Sequence, residues 1–213
     1  YQNVNNTWTQ IGDDIDGEAD NDYSGRSVSI SGDGSILAIG APYNDGGGNQ
    51  SGHVRVFKNI DNTWIQIGDD IDGESSPDSP DNLGSTVCLS NDGTIVAIGA
   101  YDLRDDDPDL IEERDLKSRV RVYKNNSGTW EQLGSDIEGE ANDDRSGMSI
   151  SLSSDGSLLA VGAPYNDGNG SVSGHARIYK NIDNNWIQII PDIDGEAIGC
   201  LLYTSDAADD TCC

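Results

Sequence analysis

One Phe, one Met, two His and four Cys occur in 213 residues, and only 12 Lys and Arg stand against 39 Asp and Glu. Each shortage excludes something. With hydrophobic residues at 34% and almost no Phe or Met, any core must be built from short Val, Ile, Leu and Ala runs. No apolar run approaches the roughly 18 residues of a membrane-spanning helix, so membrane insertion is not expected from this chain. The scarcity of basic residues gives a net charge of −27 and a pI near 4.1. A polyanion repels phosphate backbones, which excludes nucleic acid as a partner and leaves cations or a protein or glycan ligand.

The cysteines fall in a telling place. Cys200, Cys212 and Cys213 sit in "CLLYTSDAADDTCC", residues 200–213, which breaks every pattern that precedes it. That tail resembles the translation of a sequencing-library adapter and is set apart from the fold as non-native. Cys88 then stands alone in "STVCLS" and reads as a small buried hydrophobe, leaving neither a disulfide framework nor a Cys-based metal site. The only Met is Met148, so the chain is expected to be a fragment, and its first residue carries no information on export.

Gly, at 26 residues, is abundant, and the aromatics are placed at regular intervals. Trp8, Trp64, Trp130 and Trp186 are spaced 56, 66 and 56 residues apart. Within each period four short strands are legible. Strand A is "SGRSVSIS", "LGSTVCLS" or "SGMSISLS". An Asp-Gly turn follows, read as a two-residue hairpin needing positive φ. Strand B, "ILAIGAP" or its relatives, is a continuous apolar run that implies burial on both faces. Strand C is "HVRVF", "RVRVY" or "HARIY". Strand D carries the Trp, as in "TWIQIG". A tandem four-stranded meander of about 56 residues predicts an all-β fold, a β-propeller fragment with the Trp packing blade on blade. The predicted units are an outer strand of a preceding blade at 1–15, blade 1 at 16–71, blade 2 at 72–137 with an acidic insertion at 101–118, and blade 3 at 138–193. Residues 194–199 then begin another crossover. Three blades do not close a ring, so an internal piece of a longer propeller is expected.

"YSGRSVSISGDGSILAIGAP", residues 23–42, resembles the FG-GAP repeat of integrin α-subunit propellers, with Gly25–Val28 as Gly-x-Ser-Val and Gly40, Ala41 and Pro42 as Gly-Ala-Pro. Residues 145–164 match similarly, and the middle unit keeps Gly99 and Ala100. The resemblance implies an extracellular or cell-surface adhesion module. Calcium-binding members carry a D-x-D-x-D-G loop between strands A and B. Here that loop has shrunk to "SGDGS", too short to surround an ion that takes six or more oxygens, so Asp33, Asp92 and Asp155 read as turn residues.

In such a meander the B–C loops and D–A crossovers share one face, and that face holds 30 of the 39 acids. "GDDIDGE" at residues 12–18 recurs at 68–74, with softer copies at 134–140 and 190–196. Two readings stay open. One is a calcium site built from carboxylates two residues apart: Asp14, Asp16 and Glu18; Asp70, Asp72 and Glu74; Asp136, Glu138 and Glu140. The other is an outer strand kept soluble by charge. The acidic insertion breaks the repeat symmetry, which makes Asp105, Asp106, Asp107 and Asp109 candidate ligand contacts. Arg55, Arg121 and Arg177 recur in strand C and are expected to pair with nearby acids. His53 and His175 share one repeat position, filled by Arg119 in blade 2. No Ser-His-Asp, Cys-His, zinc or P-loop constellation is present, and strand A offers a propeller channel little beyond Ser27, Ser29, Ser31 and Arg26. The expectation is a non-enzymatic binding or adhesion module. A passive structural repeat of a larger surface protein is the alternative, with a propeller-scaffold hydrolase or lyase behind both.

Overall fold

Short apolar runs separated by Gly, Asn and Asp turns give a chain of strands. A computed structural model describes residues 1–76, 79–101, 118–141 and 143–196, and among these there is no helix. A leading hairpin pairs β1 (Gln2–Val4) with β2 (Thr7–Thr9), so the first fifteen residues, read as one strand, hold two. Blade 1 is the meander β3 (Ser27–Ile30), β4 (Ile36–Ala41), β5 (His53–Ile60) and β6 (Thr63–Gln66), with β7 (Ile71–Asp72) returning to pair with β5. A small ladder joins β8 (Ser75–Ser76) to β9 (Ser79–Pro80). Blade 2 repeats the meander as β10 (Leu83–Leu89), β11 (Ile95–Ala100), β12 (Arg119–Asn126), β13 (Thr129–Gln132) and β14 (Ile137–Glu138). Blade 3 does so as β15 (Ser149–Leu152), β16 (Leu158–Ala163), β17 (His175–Ile182), β18 (Asn185–Gln188) and β19 (Ile193–Asp194). The chain is an all-β propeller fragment.

The turn chemistry differs from expectation at one place. The two-residue hairpins join strands C and D, where Asp61 and Asn62 both have positive φ (51° and 64°) between the paired Ile60 and Thr63. This is the type I′ geometry that Asn tolerates and that suits the strand twist. The A–B turn is longer. Ser31 N–H donates to the Ile36 carbonyl at 2.9 Å, Gly34 N–H donates to the Ser31 carbonyl at 2.9 Å, and of the four residues between only Gly34 has positive φ. Asp33 is kept in an ordinary conformation because its side chain caps the turn.

Core material lies between blades. Ile36, Val54, Val56 and Ile71 of blade 1 pack against Leu83, Leu89, Val96 and Ile98 of blade 2. Val120, Val122 and Ile137 of blade 2 pack with Leu159, Val161 and Tyr179 of blade 3. A sheet only four strands wide cannot bury both faces alone, so each blade depends on its neighbours. Ile71 and Ile137 are 4% and 6% exposed beneath the following blade, whereas their counterpart Ile193 is 44% exposed. The two glycines of the repeat motif meet at these junctions. A Cβ on Gly40 would lie 2.2 Å from the Gly84 carbonyl oxygen, and one on Gly99 would lie 2.5 Å from that of Gly147. Gly-x-Ser-Val and Gly-Ala-Pro are therefore two halves of one close backbone approach.

Candidate functional site

Each acidic repeat begins at a bulge in the outer strand. Ile67 N–H still donates to the Val56 carbonyl at 2.9 Å, the chain then swings out, and pairing resumes with Ile71 opposite Val54. Gly68 makes the swing possible at φ +79°. A Cβ there would meet the Gly128 carbonyl oxygen at 2.6 Å and Trp130 Cδ1 at 2.9 Å. The indole it would strike belongs to the next blade. Trp130 Nε1 donates to the Ile67 carbonyl at 2.9 Å; Trp64 does the same to Ile11 at 3.2 Å, and Trp186 to Leu133 at 2.9 Å. The recurring Trp and the recurring Gly thus serve a single inter-blade contact.

The bulge sends the acids of one copy to different places. Asp14, Asp70 and Asp136 each accept a hydrogen bond from the Gln four residues earlier, at 2.8, 2.6 and 2.7 Å. Asp16 and Glu138 supply main-chain carbonyls, to Arg55 at 2.6 Å and Arg177 at 3.1 Å. Asp72 lies opposite His53 in the ladder, where burial, and then the Asp70 and Glu18 carboxylates, push its carboxyl pKa up against the opposing effect of His53. Glu74 is largely exposed, with Arg121 Nη2 at 3.4 Å.

Convergence occurs between copies. Glu18 of the first copy and Asp70 of the second flank His53, whose Nδ1 lies 3.8 Å from Glu18 Oε2 and 3.6 Å from Asp70 Oδ2. Glu140 of the third copy and Asp192 of the fourth flank His175 at the same 3.8 and 3.6 Å. Among the described residues these are the two groups of three or more His, Cys, Asp or Glu whose ligand atoms all lie within 4.8 Å of one another. The histidines and Asp192 were the members that sequence reasoning left out. Their signal was the shared repeat position of His53, Arg119 and His175.

Blade 2 fills the same place with guanidinium groups. Arg119 Nη2 lies 2.8 Å from Asp81, and Arg121 reaches Asp81 at 2.7 Å and Asp136 at 3.0 Å. Burial disfavours the Arg121 charge, but Asp81 and Asp136 outweigh it and raise its pKa. Arg55 and Arg177, expected to pair with nearby acids, are buried and do so, with Glu18 and Glu140 at 3.7 and 3.8 Å.

On the opposite face the turn acids are committed locally. Asp33 accepts from Ser31 Oγ, Ser35 N–H and Ser35 Oγ at 2.7, 2.9 and 2.9 Å, and these bonds, led by the Ser35 N–H, lower its pKa to about 2. Asp155 reaches about 2 by the same means, with the Ser153 hydroxyl the largest cause. Cys88, expected to be buried, is half-buried at the junction of blades 2 and 3, where its Sγ accepts from Leu152 N–H at 3.3 Å. Asp105, Asp106, Asp107 and Asp109, like the tail 200–213, lie outside the described residues. Among the described residues no helix is long and apolar enough to cross a membrane.

The FG-GAP repeat family matches the chain at residues 15–57 and 138–179, the segments from acidic crossover to strand C in blades 1 and 3. No curated protein matches. Among solved structures, a candidate 6-phosphogluconolactonase from Bacteroides uniformis is 14% identical, with TM-score 0.51 over 78% of this chain and 39% of its own. The periplasmic gluconolactonase PpgL of Pseudomonas aeruginosa is 15% identical, with TM-score 0.43 over 78% of this chain and 44% of its own. Sqt1 of Saccharomyces cerevisiae is 11% identical, with TM-score 0.47 over 80% of this chain and 36% of its own. The chain spans about two fifths of the length of these structures, and the likeness to the first of them is one of fold alone.

Proposed function

Because the chain carries FG-GAP repeats on a propeller scaffold, we propose that it is part of a non-enzymatic binding module of the adhesion type, working outside the cytoplasm or at the cell surface. The observation that supports this is the division of charge. The crossovers bring Glu18, Asp70, Asp72, Glu74, Asp136 and Glu140 to one face, while Asp33, Asp92 and Asp155 of the other face are occupied in capping turns. Such a face concentrates cations and steers basic ligands. A protein or glycan ligand is proposed to bind there, directly or through a divalent ion, calcium being the ion that carboxylates alone would take.

The test is a face-swap on the full chain. Binding to cell-surface glycans and to immobilised extracellular proteins is measured for wild type, for Asp69→Asn/Glu74→Gln, and for Asp33→Asn/Asp155→Asn. The reading expects saturable binding that the first pair weakens and the second leaves unchanged. Equal losses, or no saturable ligand at all, would favour a passive structural repeat.

A further inference from the structure

We propose that Glu18, His53 and Asp70, and their repeat Glu140, His175 and Asp192, are twin structural sites for a divalent transition metal of the zinc class, and that Arg119 replaces the ion in blade 2. The claim goes beyond the binding role above and does not depend on it.

A built site rather than a solvated acidic patch is indicated by the histidine. His53 is 1% exposed, and its Nδ1 has no hydrogen-bond partner although two carboxylates face it. An unpaired buried nitrogen is costly, so something is expected to satisfy it. At 3.6 and 3.8 Å the carboxylate oxygens are too far for hydrogen bonds. They are close to the spacing of about 3.4 Å between two ligand atoms of a tetrahedral ion with bonds of about 2.0–2.2 Å. The same two distances recur in blade 3 around Nδ1 of His175, which is 2% exposed, although the unpartnered nitrogen of that ring is Nε2.

The carboxylates are already oriented. Asp70 gives Oδ1 to Gln66 Nε2 at 2.6 Å and turns Oδ2 to His53; Asp192 gives Oδ1 to Gln188 Nε2 at 2.5 Å and turns Oδ2 to His175. Glu18 places Oε1 3.7 Å from Arg55 and Oε2 beside His53; Glu140 does the same with Arg177 and His175, and its Oε2 also accepts from Asn166 Nδ2 at 3.3 Å. One oxygen of each carboxylate is thus held by an outer partner while the other faces the site, the arrangement that supports metal ligands. One imidazole nitrogen and two carboxylate oxygens suit zinc-class ions better than calcium, which takes six to eight oxygens. Three protein ligands leave the fourth position to water.

Blade 2 shows what the position demands. Arg119 stands where His53 and His175 stand, and its guanidinium lies 2.8 Å from Asp81 and 3.5 Å from Asp136. A positive charge beside Asp136, the counterpart of Asp70, is therefore built in covalently, with Asp81 as its second partner, while Glu74, the counterpart of Glu18, faces Arg121. In blades 1 and 3 a neutral imidazole supplies a ligand, and the charge comes with the ion.

The test is equilibrium dialysis of zinc against the full chain carrying C200S, C212S and C213S, so that tail thiolates do not compete. After EDTA treatment and buffer exchange, two equivalents of zinc should bind, with calcium much weaker. H53R should bind one equivalent and H53R/H175R none, both retaining the wild-type far-UV spectrum because the substitution copies blade 2. D70N, close in shape to the wild-type side chain, should also lose one equivalent. Zinc stoichiometry unaffected by H53R/H175R would overturn the proposal. So would an absence of zinc binding by the unsubstituted sites, or calcium binding as tight as zinc, which would mean protonated histidines or a carboxylate site instead.

Discussion

At the residue scale, the acids of this chain do three different jobs despite their similar sequence contexts. Asp33 and Asp155 cap turns, and their pKa values of about 2 lie below the ordinary 3.8. A depressed carboxyl contributes stability above its unfolded pKa, and that contribution is lost as pH falls through the folded value. The stability advantage of wild type over Asp33→Asn should therefore be constant above about pH 5 and shrink toward pH 2. An advantage in urea midpoint that persists undiminished at pH 2 would contradict the capping role. Asp81 is different, buried with Arg121 at 2.7 Å. Replacing Arg121 by Met leaves Asp81 paired with the Arg119 guanidinium, 2.8 Å away, so the expected cost, read as a loss of urea midpoint, lies below the roughly 3–5 kcal/mol of a buried charge left without any partner. Sequence alone identified the turn acids correctly, because Ser and Thr beside Asp-Gly are local signals. It misplaced the hairpin type, since Asp-Gly also suits a four-residue loop in which Gly34 alone takes positive φ. His53 was legible as a repeated position but not as a site, because its carboxylate partners lie 35 residues before it and 17 after it.

At the scale of the element, the outer strand is the decisive piece. Its bulge at Gly68 creates the notch for Trp130 and also redirects the acids that follow. Trp130→Phe removes one hydrogen bond to the Ile67 carbonyl and should cost about 1 kcal/mol. Gly68→Ala combines strain at φ +79° with a Cβ 2.6 Å from the Gly128 carbonyl oxygen, so a loss of about 1–3 kcal/mol is expected. Both are checked by denaturant midpoints at constant m-value, and a neutral Gly68→Ala would mean that the notch is not a fixed contact. The 56-residue Trp spacing revealed the blades, and the apolar strand B revealed its own burial. The meeting of Glu18 with Asp70 stayed hidden because it depends on where the bulge places the second acid relative to the first copy's crossover. The fourth copy departs from the others in a readable way: Ile190, 42% exposed, replaces the notch glycine.

At the scale of the whole molecule, a net charge of −27 acts on blades whose cores lie between them. Self-repulsion of that size weakens the compact state and is relieved by any salt. Beyond that general effect, the proposed sites make the repeated acidic segments clasps between crossover and outer strands, closed by Arg119 in blade 2 and by a divalent ion in blades 1 and 3. The most direct measurement is the melting temperature of the full chain carrying C200S, C212S and C213S in EDTA, in sodium chloride, and with stoichiometric zinc, calcium or magnesium at the same ionic strength. The account expects a rise with stoichiometric zinc beyond that given by salt, because an ion bound only to the folded state stabilises it by mass action. An identical melting temperature in every solution of equal ionic strength would contradict it, and would leave the repeats as a charged, solvated edge.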